Sequence, residues 1–278
     1  MVKNIVKTKK LVSVIIPAYK QEKTIEKDLR NIYGVMSETR WDFEIIVVVD
    51  GMLDKTFENA RRVNEKNVKV TGYETNYGKG YAVRYGMVRA KGDYIAFIDS
   101  GMEIQPNGIS MLLEHMEWYN ADIMLGSKRH PASKVNYPSF RRFYSFVYHA
   151  IVKVLFRIPV KDTQVGLKVF KRNVLEAVLP RLVIKQYAFD IELLAVAHRL
   201  GFKRIYEAPV YISIDFSSGT NFGRFLPFSR YIRKMLFDTL AVFYRMYFLR
   251  YYDDRSKQKW VYDKELDMKV NTGGLYDS

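Results

Sequence analysis

Carboxylates at the ends of apolar runs are the first residues in this chain equipped for chemistry. Asp99 closes the run DYIAFID and is followed by SGME, so Glu103 lies four positions on, across a glycine-containing turn. Two carboxylates spaced this way can share a divalent cation acting as a Lewis acid on a phosphate leaving group. The same spacing also allows Asp99 to close a turn while Glu103 sits in solvent. Asp50 opens DGMLD at the end of a second apolar run. It can accept hydrogen bonds from a base or ribose hydroxyl, or belong with Gly51 to an ordinary Asp-Gly turn. Asp54 suits the N-cap of the next helix. Between these acids lies NYGKGYAVRYG, Asn76 to Gly86, a glycine-punctuated loop whose amides and Lys79 can meet phosphate oxygens. It is not a Walker loop, because no Ser or Thr follows the lysine, and no GxGxxG fingerprint is present. Further cations, Lys128, Arg129, Arg141 and Arg142, suit an anionic ligand and equally an ordinary solvated surface, and Asp162 stands in DTQVG.

The elements that must position these residues alternate. Leu11–Pro17, Phe43–Asp50, Val68–Tyr73 and Asp93–Asp99 read as strands. Thr24–Val35, Lys55–Glu65 and Gly80–Ala90 read as the helices between them. Continuous apolar strands spaced by helices predict βαβ units and a mainly parallel sheet flanked by helices. In such sheets the ligand lies just beyond the carboxyl ends of the strands, where Asp50 and Asp99 fall. After Pro138 the texture changes. Phe140–Arg157 is an aromatic, basic helix, Val165–Phe170 a strand, Phe189–Leu200 a helix closed by Gly201, and Arg204–Ile214 an extended segment broken by Pro209. Phe225–Tyr252 is again aromatic and basic, and the tail beyond Asp253 is polar, with a composition that permits disorder. We divide the chain into a catalytic domain at 1–220, interfacial helices at 221–252 and a polar tail at 253–278.

Composition narrows the chemistry. Cysteine is absent and the histidines (His115, His130, His149, His198) show no zinc-ligand spacing, so a metal must sit on carboxylate oxygens, which suits Mg2+ or Mn2+. A formal charge of +15 implies a polyanionic partner: nucleic acid, an anionic membrane or phosphorylated substrates. No nucleic-acid-binding motif is present, and nucleic acid would leave the acids at strand ends unexplained. Leu11–Ile16 is too short for a signal-peptide core, and no uncharged run approaches the ~20 residues of a spanning helix.

Read in order, VSVIIPAYKQEKTI, EIIVVVDGMLDKT, NYGKGYAVRYGMVRAKGDYIAFIDSG, MLGSKRH, DTQVGLKVFKR and FDIELLAVAHRLGFKRIYEAPV resemble family 2 glycosyltransferases of the GT-A fold. More closely they resemble the polyprenyl-phosphate sugar synthases, from about Val12 to about Tyr252. The DTQ-G-K form looks closer to the dolichyl-phosphate glucose branch than to the mannose branch. The resemblance implies a GT-A (Rossmann-like) sheet and inverting transfer of a hexose to a polyprenyl or dolichyl phosphate. UDP-glucose is the implied donor, with GDP-mannose as the alternative. It implies a nucleotide site around Pro17, Tyr19, Glu22, Asp50, Gly51, Asn76, Lys79, Gly80, Asp99 and Ser100, and a metal on Asp99 and Glu103. It also implies an acceptor phosphate near Lys128, Arg129, Arg141, Arg142 and Ser218, with Lys128 and Arg142 foremost. Asp162 either assists with a proton or holds a turn. Two departures stand out. The family usually carries Asp-x-Asp where this chain has Asp99-Ser100-Gly101, and Val49 replaces the first of a usual aspartate pair. A non-lipid acceptor, or a non-catalytic nucleotide-sugar binding protein, are the competing readings.

At about 100° per residue, Arg230, Arg233, Lys234, Asp238 and Arg245 share one arc of the last helix. Ile232, Met235, Leu236, Leu240, Val242, Phe243 and Met246 lie opposite. That is the pattern of an interfacial helix, and equally of a helix packed on the protein's own core. The second basic-aromatic helix favours the membrane, although Val152 and Phe156 intrude on its basic side. The expectation is a peripheral protein on the cytoplasmic face of a membrane, with room for a spanning partner subunit or a homo-oligomer.

Overall fold

Val- and Ile-rich runs without charge make strands that can be buried on both faces, and here they build the centre of the molecule. A computed structural model describes residues 9–101, 104–135, 139–186, 188–212, 230–253 and 259–271. The first half comprises β1 (Leu11–Ala18), α1 (Ile25–Ser37), β2 (Asp42–Asp50), α2 (Thr56–Arg61), β3 (Val68–Tyr73), α3 (Lys79–Arg89) and β4 (Tyr94–Ile98). It continues through α4 (Asn107–Trp118), β5 (Ile123–Ser127), β6 (Lys134–Val135), α5 (Ser139–Phe156), β7 (Leu167–Lys171), α6 (Arg172–Val178), α7 (Phe189–Arg199) and β8 (Ile205–Pro209). The chain ends with β9 (Tyr211–Ile212), α8 (Arg230–Tyr247), β10 (Trp260–Asp263) and β11 (Met268–Asn271).

The seven-stranded sheet has the order β3-β2-β1-β4-β7-β5-β8. β1 pairs in parallel with β2 and β4, so the direction of winding reverses between β1 and β4. A crevice forms outside the carboxyl ends of strands at such a point. Only β7 runs antiparallel to its neighbours within this sheet, so the mainly parallel expectation holds. Helices cover the faces through their apolar stripes. In α1, Ile25, Leu29, Ile32 and Met36 recur at helical spacing and are buried. The one charged residue on that face, Asp28, is buried too and points toward the crevice. Glycines permit close approach: a Cβ at Gly80 would lie 2.5 Å from the Cβ of Phe189, and one at Gly86 2.5 Å from Ile15.

Several expectations need correction. The helix expected at Lys55–Glu65 is the short α2, ending at Arg61, and α4, β5 and α6 were not foreseen as elements. The polar tail beyond Asp253 contains an ordered antiparallel hairpin, β10–β11. Tyr81 donates to Glu265 at 2.5 Å, Arg89 donates to the Glu265 carbonyl, and Arg181 lies over the Trp260 ring. Leu266 is only 1% exposed. Charged side chains alternate with Trp260, Leu266 and Val270 in this stretch, which gives it a polar composition despite its buried anchor.

Leu266→Ala should therefore lower the unfolding free energy by about 2–3 kcal/mol, toward the lower end for buried Leu→Ala changes, as measured by urea denaturation. A change below about 0.5 kcal/mol would mean that the hairpin does not contribute to the cooperative core.

Candidate active site

The crevice is assembled from four chain segments. The loop after β1 carries Tyr19, which is exposed, and Glu22. Glu22 is tied to the β2–α2 turn: its amide donates to Asp54, and its carboxylate accepts from the Lys55 amide. Asp54 also accepts from the Thr56 amide at 3.0 Å, at the entrance of α2. The N-cap of α2 is Lys55, so the N-cap expected at Asp54 is corrected: Asp54 lies one residue earlier and reaches only the first helical amide. Pro17 is buried at the end of β1, and Gly51 turns with φ of +88° beside the Asn76 backbone.

Asp50 is buried, and its carboxylate accepts from the Asn76 amide nitrogen at 2.9 Å, the Tyr77 N–H at 2.9 Å and the Gly78 N–H at 3.0 Å. These bonds make it the anchor of the NYGKG loop, a role not among those expected from the sequence. That loop delivers Gly78, with φ of +105°, as the N-cap of α3, and Lys79 as the first helical residue.

Lys79 is where charge converges. Its Nζ lies 2.8 Å from Asp99 Oδ1 and 2.9 Å from Oδ2, and 3.9 Å from Asp190 Oδ2. Only Oδ2 accepts a well-aligned hydrogen bond; Oδ1 is buried without one. Asp190, in the first turn of α7, is in turn 2.7 Å from the Nζ of Lys168, which is fully buried and also donates to the Val165 carbonyl. Burial pushes the Lys168 ammonium below its ordinary value, opposed by Asp190. Both ammonium groups flank the Phe97 ring, at 5.6 and 4.9 Å. The result is an alternating series, Asp99, Lys79, Asp190, Lys168, running from the crevice into the core.

The turn after Asp99 is held from two sides. The Asp99 N–H donates to the Gly166 carbonyl at 2.9 Å, and any Cβ at Gly166 would collide with the Asp99 carboxylate. Gly101, standing where the family places its second aspartate, has φ of +97° and donates its N–H to buried Asp28 at 3.1 Å. Burial raises the Asp28 carboxyl above its ordinary range. Ser100 is half-buried; Glu103 lies outside the described residues. Among those residues no group of three His, Asp or Glu side chains is placed to hold a metal. Asp99 presents one carboxylate, with Oδ1 in an ion pair to Lys79 and without a well-aligned hydrogen bond, and this fits a magnesium or manganese ion if the ammonium moves aside, since these ions are commonly held by one or two carboxylates plus substrate phosphates.

A second cluster lies beyond β5. Asp162 is buried and accepts from the Lys128 amide at 2.9 Å and the Gln164 amide at 3.3 Å, while its own N–H donates to Glu207. Its carboxylate thus holds the turn that presents Lys128 and Arg129, both half-buried. His149 of α5 shares this neighbourhood: burial first, then Arg129 and Lys153, push its imidazole below the ordinary value. Arg141 and Arg142 fall in the first turn of α5, but their side chains, like all of Ser218, lie outside the described residues. Asp190, Lys168, Asp28 and Gly166 were not foreseen as site residues. A signal existed, because an isolated charge within an apolar run, as in GLKVF and FDIELLA, is rarely tolerated without a paired or polar role.

An α/β sheet with the order β3-β2-β1-β4, acids beyond two carboxyl ends and a lysine at a helix start defines a nucleotide-handling architecture. The profile of glycosyl transferase family 2 matches residues 13–179, and the chain belongs to that family. Glycosyltransferase AglD of Haloferax volcanii is 30% identical over 72% of this chain, though the match covers 32% of AglD. Dolichyl-phosphate beta-glucosyltransferase of Drosophila melanogaster is 30% identical over 78% of this chain and 72% of its own length. The Dictyostelium discoideum protein of the same name is 28% identical over 81% and 73%. In fold, the chain resembles glucosyl-3-phosphoglycerate synthase from Mycobacterium tuberculosis, solved with Mn2+, uridine diphosphate and phosphoglyceric acid. The TM-score is 0.59 at 19% identity, covering 84% of this chain and 78% of that one.

The Gly166–Asp99 contact yields a double-mutant test. Gly166→Ala should destabilise by about 1–3 kcal/mol through overpacking, and Asp99→Ala in the same chain should recover about 1 kcal/mol of that by removing the colliding carboxylate. Strict additivity in chemical denaturation would show that the two residues do not constrain each other.

Proposed function

We infer that this protein transfers glucose from UDP-glucose to a polyprenyl or dolichyl phosphate at a membrane surface, inverting the anomeric carbon. The observation that carries this reading is the match to dolichyl-phosphate beta-glucosyltransferases over most of the chain, and the Asp99–Lys79 crevice offers a site for the chemistry. A phosphate acceptor is already anionic at neutral pH, so the reaction needs positioning and charge neutralisation more than a strong base. An acceptor phosphate oxygen forms the new bond to the anomeric carbon as the bond to the diphosphate oxygen breaks, and the electron pair leaves on UDP. No proton need move.

The residues divide the work accordingly. Tyr19, Glu22, Gly51 and Ser100 border the nucleotide. Asp50 and Asn76 hold the loop that gives Gly80 and Lys79 their places, and Lys79 neutralises diphosphate oxygens. Asp99 would hold a divalent magnesium or manganese ion, which would supply Lewis-acid neutralisation of the leaving group. Lys128 and Arg129, on the turn fixed by Asp162, take the acceptor phosphate, and the resemblance assigns Arg141, Arg142 and Ser218 to the same role. In this reading Asp162 acts through position and not by proton transfer, since backbone amides occupy its carboxylate.

Membrane docking is supported by α8, with a correction to the face expected from the sequence. Val242 and Met246 pack into the core, and Thr239 bonds Tyr148 of α5 at 2.7 Å. Val152 and Phe156, which seemed to intrude on the basic side of α5, are also buried, with Phe156 meeting Phe243. The outward stripe of α8 is Phe237, Leu240 and Tyr244, continued by Phe248 and Leu249 and accompanied by exposed Arg233 and Lys234. Aromatic and apolar side chains beside cations suit an anionic lipid surface. Among the described residues no helix is long and apolar enough to span a membrane.

Two outcomes test the reading. Purified protein with polyprenyl phosphate should move labelled glucose from UDP-glucose into an organic-extractable, acid-labile lipid, and EDTA should abolish the transfer; labelling from GDP-mannose alone would assign the mannose branch instead. The triple change Phe237→Ser, Leu240→Ser, Phe248→Ser should weaken sedimentation with anionic vesicles by more than about tenfold, given about 1.5–3 kcal/mol per fully buried side chain. Unchanged vesicle binding would move the docking surface elsewhere.

A further inference from the structure

The series of charges beneath the crevice is arranged as two stations for one cation. Lys79 Nζ sits within 2.9 Å of both Asp99 oxygens, yet a second carboxylate, Asp190, waits at 3.9 Å. Asp190 is oriented by Lys168, whose ammonium lies 2.7 Å from its Oδ1 and leaves Oδ2 turned toward Lys79. The Lys79 side chain is 39% exposed at the crevice mouth, whereas Asp190 at 9% and Lys168 at 0% are enclosed by the core. The ammonium, at 2.8 Å from Asp99 Oδ1, occupies the space in which a cation would meet that oxygen. With glycine at position 101 there is no second aspartate on this turn to bind a cation independently.

From this geometry we propose that Lys79 is an exchangeable counter-ion that keeps Asp99 closed to divalent cations until a nucleoside diphosphate arrives. Anionic diphosphate oxygens and Asp190 then draw the ammonium off Asp99, so that nucleotide and metal bind together and neither binds well alone. Asp190, with Lys168 behind it, is a positioning residue: it sets the direction and ease of the Lys79 transfer without touching the reacting atoms. The proposal deepens the nucleotide-sugar reading above and rests on it.

The test is Mn2+ binding followed by electron paramagnetic resonance, with and without UDP, on the full chain and without any turnover. The unmodified protein should bind Mn2+ weakly alone and markedly more tightly with UDP. Lys79→Gln should bind Mn2+ alone about fivefold more tightly, the scale of a half-exposed ion pair, and lose most of the UDP-dependent gain. Lys79→Arg should restore the closed behaviour. Asp190→Asn should act in the opposite sense, leaving Lys79 on Asp99 and weakening Mn2+ binding in the presence of UDP. Thermal melts of each variant separate these effects from misfolding; a purely structural ion pair would change the melting temperature but not the sign of the metal response. Equal or weaker Mn2+ binding by Lys79→Gln alone, with UDP-dependent binding intact in the unmodified protein, overturns the proposal. No Mn2+ binding with UDP in the unmodified protein overturns the nucleotide reading beneath it.

Discussion

A fully buried lysine costs more than it returns unless a carboxylate meets it, and Lys168 with Asp190 meets that condition at 2.7 Å. Everything at the mouth of the crevice is referred to that pair. Lys168 stands on β7 and Asp190 in the first turn of α7, so the pair fixes where a helix meets the sheet. Asp190 then offers its remaining oxygen to Lys79 at the start of α3, and Lys79 offers itself to Asp99 beyond β4. Four elements are thereby aligned by alternating charge. Removing any member would leave its neighbour with an unbalanced charge, most severely at the buried end.

Such proximity demands backbone without side chains. Gly166 lets β7 carry its carbonyl to the Asp99 amide while the carboxylate occupies the space a Cβ would fill. Gly80 lets α3 settle on Phe189 at the start of α7. Gly101 is different: its φ of +97° is a conformation that L side chains rarely adopt, and Asp28 holds the amide. The glycine in place of an aspartate is therefore built into this turn, stabilised by a buried acid from another helix.

The two amphipathic helices show how one stripe can serve two environments. Tyr148, Val152 and Phe156 of α5 and Thr239, Val242 and Met246 of α8 turn inward. The face left outside is still aromatic and apolar, at Phe237, Leu240 and Tyr244. A helical wheel sorts residues only into polar and apolar arcs; it cannot say which part of a broad apolar arc meets protein and which meets lipid. That division comes from the crossing of α5 and α8 and from the Gln164 amide reaching Met235, which ties the DTQ turn to α8.

Much of the architecture was legible because it depends on short-range patterning. Continuous Val and Ile runs announced β1, β2 and β4, the spacing of apolar residues announced α1, α3 and α7, and the acids at strand ends marked the crevice before any contact was known. The linear pattern also placed Asp50, Lys79 and Asp99 at one edge of the sheet, where the structure brings them together. What only the tertiary structure decided were the partnerships. Asp50 spends its carboxylate on the loop amides, Lys79 bridges Asp99 and Asp190, and a hairpin of polar composition folds back onto α3. The physical reason is one of range: periodicity records which side of its own element a residue faces, whereas pairing of Lys79 with Asp99, 20 positions on, and with Asp190, far beyond it in sequence, depends on which strands lie adjacent and how closely their glycines let them approach.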